Sequence, residues 1–185
     1  MILRGLIFIV IMFSSNAWAD ADEERQEIQT MREEVLAKLY QENPEVERSI
    51  ANAVGYATFS NIGVNLIFFS AGGGYGVVRE NSSGNDIYMS MGTAGIGIGL
   101  GVKDFSAVFV FHTEKAFNNF VDNGWDFSGQ ADAAAKSGKK GGAESAAGTI
   151  INGVSVYQMT ENGLALQATL QGTKFWRNKA LNEAH

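Results

Sequence analysis

Between Gly95 and Val102 the chain reads Gly-Ile-Gly-Ile-Gly-Leu-Gly-Val. Side chains leave an extended strand on alternate faces. Gly95, Gly97, Gly99 and Gly101 therefore make one bare face, and Ile96, Ile98, Leu100 and Val102 make an aliphatic one. Gly72, Gly74 and Gly76 repeat the alternation around Gly73 and Tyr75. Each glycine inside a strand costs about 0.5–1 kcal/mol relative to alanine, so a chain that keeps two such ladders must bring something close to them. Another backbone would serve, in a sharply coiled sheet or small barrel, and so would a flat ligand such as an acyl chain in a groove. Tight curvature accounts for the glycines without a ligand. A nucleotide does not account for them. Gly138-Lys139-Lys140 has Ala133 and Lys140 where a phosphate-binding loop needs Gly and Ser or Thr, and the ladder glycines sit in strand alternation instead of opening a helix.

The rest of the chain divides around these ladders. Residues 20–50 hold ten acidic and four basic side chains, and every glycine except Gly5 lies between Gly55 and Gly172. A charged helical section (20–54) thus precedes a glycine-rich β body (55–185). Ile28, Met31, Val35 and Leu39 recur at helical spacing and make one apolar face. Asn43-Pro44 predicts an N-cap and first helical residue for a second helix to about Val54. No charge interrupts residues 49–78, yet asparagines and glycines break the run into the strand-like pieces GYATFS, VNLIFFS and GGGYGVVRE. NDIYMSMG, AGIGIGLGVK and DFSAVFVFH follow as strands. TEKAFNNFVDNG reads as a helix ended by Gly124. Residues 128–149 read as a long small-residue loop. GVSVYQMT and LALQATLQG flank the hairpin signal Glu161-Asn162-Gly163, and the tail from Thr173 begins as a strand and ends loosely. The fold class expected is α+β: N-terminal helices packed on a strongly curved, glycine-rich antiparallel sheet of about seven strands, a half-barrel or small barrel.

Residues 1–19 have the form of a secretory signal: Arg4, the apolar run Leu6–Phe13, then Ala17-Trp18-Ala19 before an acidic cluster. The run is far short of the roughly 20 residues of a spanning helix. Cleavage after Ala19 would leave a chain of formal net charge −7 instead of −6, because Arg4 is lost. A secreted chain without cysteine suits a bacterial periplasm. The negative charge argues against nucleic acid as a partner. With no cysteine and only His112 and His185, thiolate chemistry is excluded and histidine chemistry is scarce. Neither a G-x-S-x-G elbow nor H-E-x-x-H occurs, no cofactor is implied, and the chain reads as a non-enzyme. A hydrolase would need His112 beside a serine and a carboxylate.

Lys174, Arg177 and Lys179 surround Phe175-Trp176, a mixture of cations and rings suited to a lipid interface or, equally, to a solvated strand edge. Several segments in order, GYATFSN, GGGYGVV, YMSMG, GIGIGLGVKDF, VFVF, NGWDFSGQADAAAKSG and LQGTKFWRNKALN, resemble the bacterial YSC84-related proteins of the SYLF lipid-binding domain family, over about Tyr40 to Asn182. The resemblance implies a membrane-associated binding module without catalytic residues. Eukaryotic relatives bind phosphoinositides, and some bind actin, largely through basic or amphipathic N-terminal segments. The acidic section here does not match those, and neither partner belongs in a periplasm. The function expected is binding of phospholipid, another amphiphile or a membrane surface in the bacterial envelope. Phe68, Phe69, Trp125 and Trp176 would meet acyl chains, and Lys174, Arg177 and Lys179 would meet headgroups. The alternative is a structural or protein-interaction factor of the envelope.

Overall fold

The computed structural model describes residues 14–61, 73–93, 105–126, 149–160, 163–164 and 173–183. In chain order the elements are α1 (Ser14–Glu42), α2 (Glu45–Ala51), β1 (Gly55–Ser60), β2 (Gly73–Glu80), β3 (Asp86–Thr93), β4 (Phe105–Phe111) and α3 (Glu114–Asn123). They continue with β5 (Trp125–Asp126), β6 (Thr149–Ile151), β7 (Val154–Thr160), β8 (Gly163–Leu164), β9 (Thr173–Arg177) and α4 (Lys179–Glu183). Eight strands run side by side in the order β5-β9-β3-β2-β1-β4-β7-β6, with β8 added on β7. Every pairing among them is antiparallel. The sheet curls into a half-barrel, and with its helices the fold is α+β.

Strand alternation dictates two cores. In β4, Phe105, Ala107, Phe109 and Phe111 point to one side and Val108 and Val110 to the other, and all seven residues of the strand are buried. On the first side these phenylalanines meet Phe59, Trp125, Phe175 and the inner face of α3, Phe117 and Phe120. Phe59 lies 4.6 Å from Phe175 and Phe109 lies 5.1 Å from it, both edge-on between ring centroids. Such pairs add about 0.5–1.5 kcal/mol each beyond the area they bury. On the second side lie α1 and α2, whose Ile28, Met31, Val35, Leu39, Val46 and Ile50 cover Val77, Val108, Val110 and Met159. The apolar face read at positions 28, 31, 35 and 39 is the buried one.

Polar contacts fix how α1 crosses the sheet. Gln29 donates to Asp86 and to the Tyr88 hydroxyl, at 2.9 and 3.0 Å. Arg32 reaches Asp86 at 3.3 Å, and Arg79 grips the same carboxylate at 2.8 and 2.6 Å. Arg25 donates to the Leu181 carbonyl at 3.0 Å, and Lys38 donates to that of Thr160 at 3.0 Å. The helix is thereby tied to β3 and α4 near one end and to β7 near the other. Among the described residues two side-chain atoms in this layer are buried without a partner, Gln29 Oε1 and the Thr58 hydroxyl. A buried, unsatisfied hydroxyl is destabilising. Thr58→Val is expected to raise stability by about 1 kcal/mol, a rise in Tm of roughly 2–4 °C, read by urea and thermal unfolding.

Several boundaries differ from those the residues suggested. Helix α2 starts at Glu45 with Pro44 as its cap residue and no side-chain cap bond. Asn43 contributes its carbonyl, which accepts from Val46 N–H at 3.1 Å. The tail does not end loosely. Asn178 Oδ1 accepts from Leu181 N–H at 3.1 Å, and α4 follows, with Leu181 buried. Trp125-Asp126 forms a short strand on β9, and Thr149 opens β6 instead of closing a loop. The β6–β7 turn is Asn152-Gly153, both at positive φ (50° and 83°). That is the two-residue geometry for which Asn-Gly is favoured. VNLIFFS, AGIGIGLGVK, residues 128–148 and LALQATLQG after Leu164 lie outside the described residues.

Candidate functional site

Where a Cβ would go at Gly76, the space is already taken by the Phe59 ring and the Thr58 carbonyl oxygen of the neighbouring strand. At Gly74 it would lie 2.5 Å from both the Met91 methyl and the Ser60 carbonyl oxygen. The bare face of this ladder is therefore filled from within, by a ring and a methyl drawn over the backbone and by the close neighbouring strand. Gly72, Gly95, Gly97, Gly99 and Gly101 lie outside the described residues.

The residues assigned to lipid contact separate in space. Phe68 and Phe69 lie outside the described residues. Trp125 is 8% exposed and stands in the aromatic core, 5.6 Å from Phe109 and 5.8 Å from Phe120 between ring centroids. Lys174 and Trp176 leave the same face of β9, whereas Arg177 leaves the opposite face with Phe175. Lys179 begins α4. Lys174 pairs with Asp126 at 2.9 Å, both largely exposed, a contact of small energetic weight. Trp176 is 44% exposed. A Cβ on Gly92 would come within 2.9 Å of its indole, so the ring covers a bare spot on the neighbouring strand and keeps its other side in solvent. Only Trp176 and Ile150 are exposed large hydrophobic residues among those described.

The register places Lys174 and Trp176 at one pole of the sheet. Ser60 faces Tyr75 and Ser106, Gly73 faces Gly92, and Thr93 faces Thr173. Phe105 faces Thr160, and Asp126 faces Lys174. The strand ends that flank 62–72 and 94–104, and Asp126 before 127–148, therefore lie at the pole of Lys174, whereas Thr149 faces Val156 part-way along β7. The opposite pole carries the tight β2–β3 and β6–β7 turns and the start of α3.

His112 is not isolated. Its Nε2 lies 2.8 Å from Ser155 Oγ. Burial raises the Tyr157 phenol; a hydrogen bond with Ser155 works the other way and nearby Glu45 adds to the rise. No carboxylate bonds the imidazole among the described residues. Ser155 is the second residue of β7, paired between Val110 on one side and Ile150 on the other, which gives no converging pair of free amides for an oxyanion. Among the described residues the arrangement does not show the parts of a hydrolytic site. Among the described residues no three His, Asp or Glu side chains gather to hold a metal, and no helix is long and apolar enough to cross a membrane.

A family described as "Ysc84: Las17-binding protein actin regulator" matches residues 92–185, just over half of the chain. The chain belongs to the Ysc84 family. It is also 34% identical over 165 residues to "Beta cell expansion factor A" of Aeromonas veronii, an alignment covering 88% of this chain and 60% of that protein. The chain thus spans well under two thirds of its relative's length. Membership of the Ysc84 family, which comprises binding domains and is not a known enzyme class, supports a lipid-binding or protein-interaction module. The resemblance read from Tyr40 onward and the matched region share β4, α3, β7, β9 and the Lys174–Trp176 surface.

Proposed function

We propose that the protein is a non-catalytic amphiphile-binding module of the bacterial envelope, secreted by cleavage after Ala19 and seated peripherally on phospholipid through the pole that carries Lys174 and Trp176. The half-exposed indole beside a lysine supports this most directly: an aromatic ring and a cation together suit the interface between headgroup and acyl chain. The formal net charge, −6 for the full chain and −7 after the loss of Arg4, opposes an anionic bilayer, so contact is local and weakens with salt. Phe68 and Phe69 belong to the chain that leaves this pole at Asn61 and returns at Gly73. Trp125, in the core, is not a contact residue in this reading. A protein-interaction role without lipid is the second reading. It is favoured by Phe59, which occupies the Gly76 face with no ligand needed.

The test uses protein secreted from a bacterial host. An intact mass identifies cleavage after Ala19. That cleavage removes Trp18 and leaves Trp125, buried, and Trp176, exposed, as the fluorophores. Vesicles of phosphatidylglycerol and phosphatidylethanolamine should sediment the protein and shift its emission to the blue, with phosphatidylcholine weaker and salt reducing both. Trp176→Ala should weaken retention about fivefold, the equivalent of roughly 1 kcal/mol for a ring already half-covered. If neither vesicle retains the protein and no lipid co-purifies, the lipid reading fails and the protein-interaction reading stands.

A further inference from the structure

At the pole opposite Trp176, a groove of about 580 Å³ runs between the end of α2, the β2–β3 turn and α3. That volume lies within the range of sites that bind ligands or anchor side chains. Ala53, Val54 and Phe117 contribute its apolar lining, and Glu80 and Glu114 belong to its larger polar part. Each wall is fixed independently. Asn81 N–H donates to the Val54 carbonyl at 3.0 Å, and its side-chain amide donates to those of Ile50 and Ala53 at 2.7 and 2.9 Å. Phe117 lies flush on Gly55, where a Cβ would come within 2.6 Å of the ring. The Thr113 hydroxyl accepts from Ala116 N–H at 3.2 Å and caps α3 just before Glu114. Ser83 Oγ donates to one oxygen of Glu80 at 2.5 Å, which holds that carboxylate at the turn.

The lining therefore combines three apolar side chains with two carboxylates, and no lysine or arginine lines it. That is the complement of a long basic side chain, whose methylenes seek apolar cover while its head seeks an anion. We propose that the groove receives a lysine or arginine side chain of a partner polypeptide, with the stem on Ala53, Val54 and Phe117 and the charged head at Glu80 and Glu114. This site is separate from the lipid-facing pole and does not depend on it.

The probe is N-acetyl-arginine methylamide, titrated into the ¹⁵N-labelled full chain, with the neutral isostere N-acetyl-citrulline methylamide in parallel. The arginine compound should give saturable amide shifts at Gly55, Ser82 and Asn118, with half-saturation in the millimolar range, and the citrulline compound should not. Glu80→Gln with Glu114→Gln should abolish the response while Tm and vesicle retention stay at wild-type values. Should the double variant unfold, Glu114→Gln alone, at an exposed position, should weaken the response at least threefold. Absence of saturable shifts, an equal response to citrulline, or a response that survives these substitutions overturns the proposal. Loss of vesicle binding with the groove response intact would count against the lipid reading alone.

Discussion

Gly76→Ala should cost about 3 kcal/mol, at the upper end of what overpacking a core does, because the new methyl meets the Phe59 ring and the Thr58 carbonyl oxygen together. A domain of this size has about 5–15 kcal/mol in total, so the variant should unfold at a much lower urea concentration. Phe59 cannot step aside freely. It is fully buried and packs against Phe109, Phe120 and Phe175. Shrinking it with Phe59→Leu in the Gly76→Ala background should not restore stability, since the Thr58 carbonyl still stands in the way. A cost below about 1 kcal/mol would mean that the strands spread easily, and the close approach of β1 and β2 would lose its meaning.

Asp86→Asn should cost about 3 kcal/mol, measured by urea unfolding at neutral pH. The carboxylate answers two guanidiniums, Arg32 and Arg79, and is itself mostly buried, with 17% of its side chain exposed. Removing the charge leaves Arg32, 12% exposed, without its anion, and uncompensated buried charge is the costly outcome. The same group predicts acid sensitivity. Burial alone would push the Asp86 carboxyl up. The hydrogen bonds from Arg79, the charges of Arg32 and Arg79, and the bond from Gln29 outweigh that, so it is held below the ordinary value of 3.8. A depressed native value means that its stabilisation is complete above the ordinary range and is lost as pH falls through the depressed value. Between about pH 5 and pH 2 the wild-type unfolding midpoint should fall more steeply than that of Asp86→Asn, since the variant has no such proton to take up.

Much of the architecture was legible because it rests on short-range signals. GYATFS coincides with β1, the period-2 run from Phe105 to Phe111 is β4, and Thr113 and Gly124 bound α3 as their chemistry suggests. What escaped depends on register or on brevity. The Asn152-Gly153 turn was readable in the residues, but the three-residue strand before it hid it among small residues. Trp125-Asp126 is a strand only because Phe175-Lys174, some fifty residues later, offers it a partner. The same dependence governs the candidate site. Lys174, Arg177 and Lys179 look like one cluster along the chain, yet strand alternation sends Arg177 to the other face. Nothing local shows that Phe59 will stand opposite Gly76, which is what fills that glycine face. The groove at Glu80 and Glu114 joins residues from three distant stretches and has no linear signature.

The contacts of α1 with the far end of the chain bear on how the chain is made. Helix α1 precedes in sequence every strand that covers it, and its Arg25 bonds the carbonyl of Leu181, 156 positions away. Contacts of such long sequence separation slow folding. Until β7 and α4 have been made, the apolar stripe of α1 lacks part of its seat, because Met159 and Leu181 belong to the cluster it packs into. A chain stalled before Thr173 should remain protease-sensitive throughout α1, while release of the last segment should protect it in a single step.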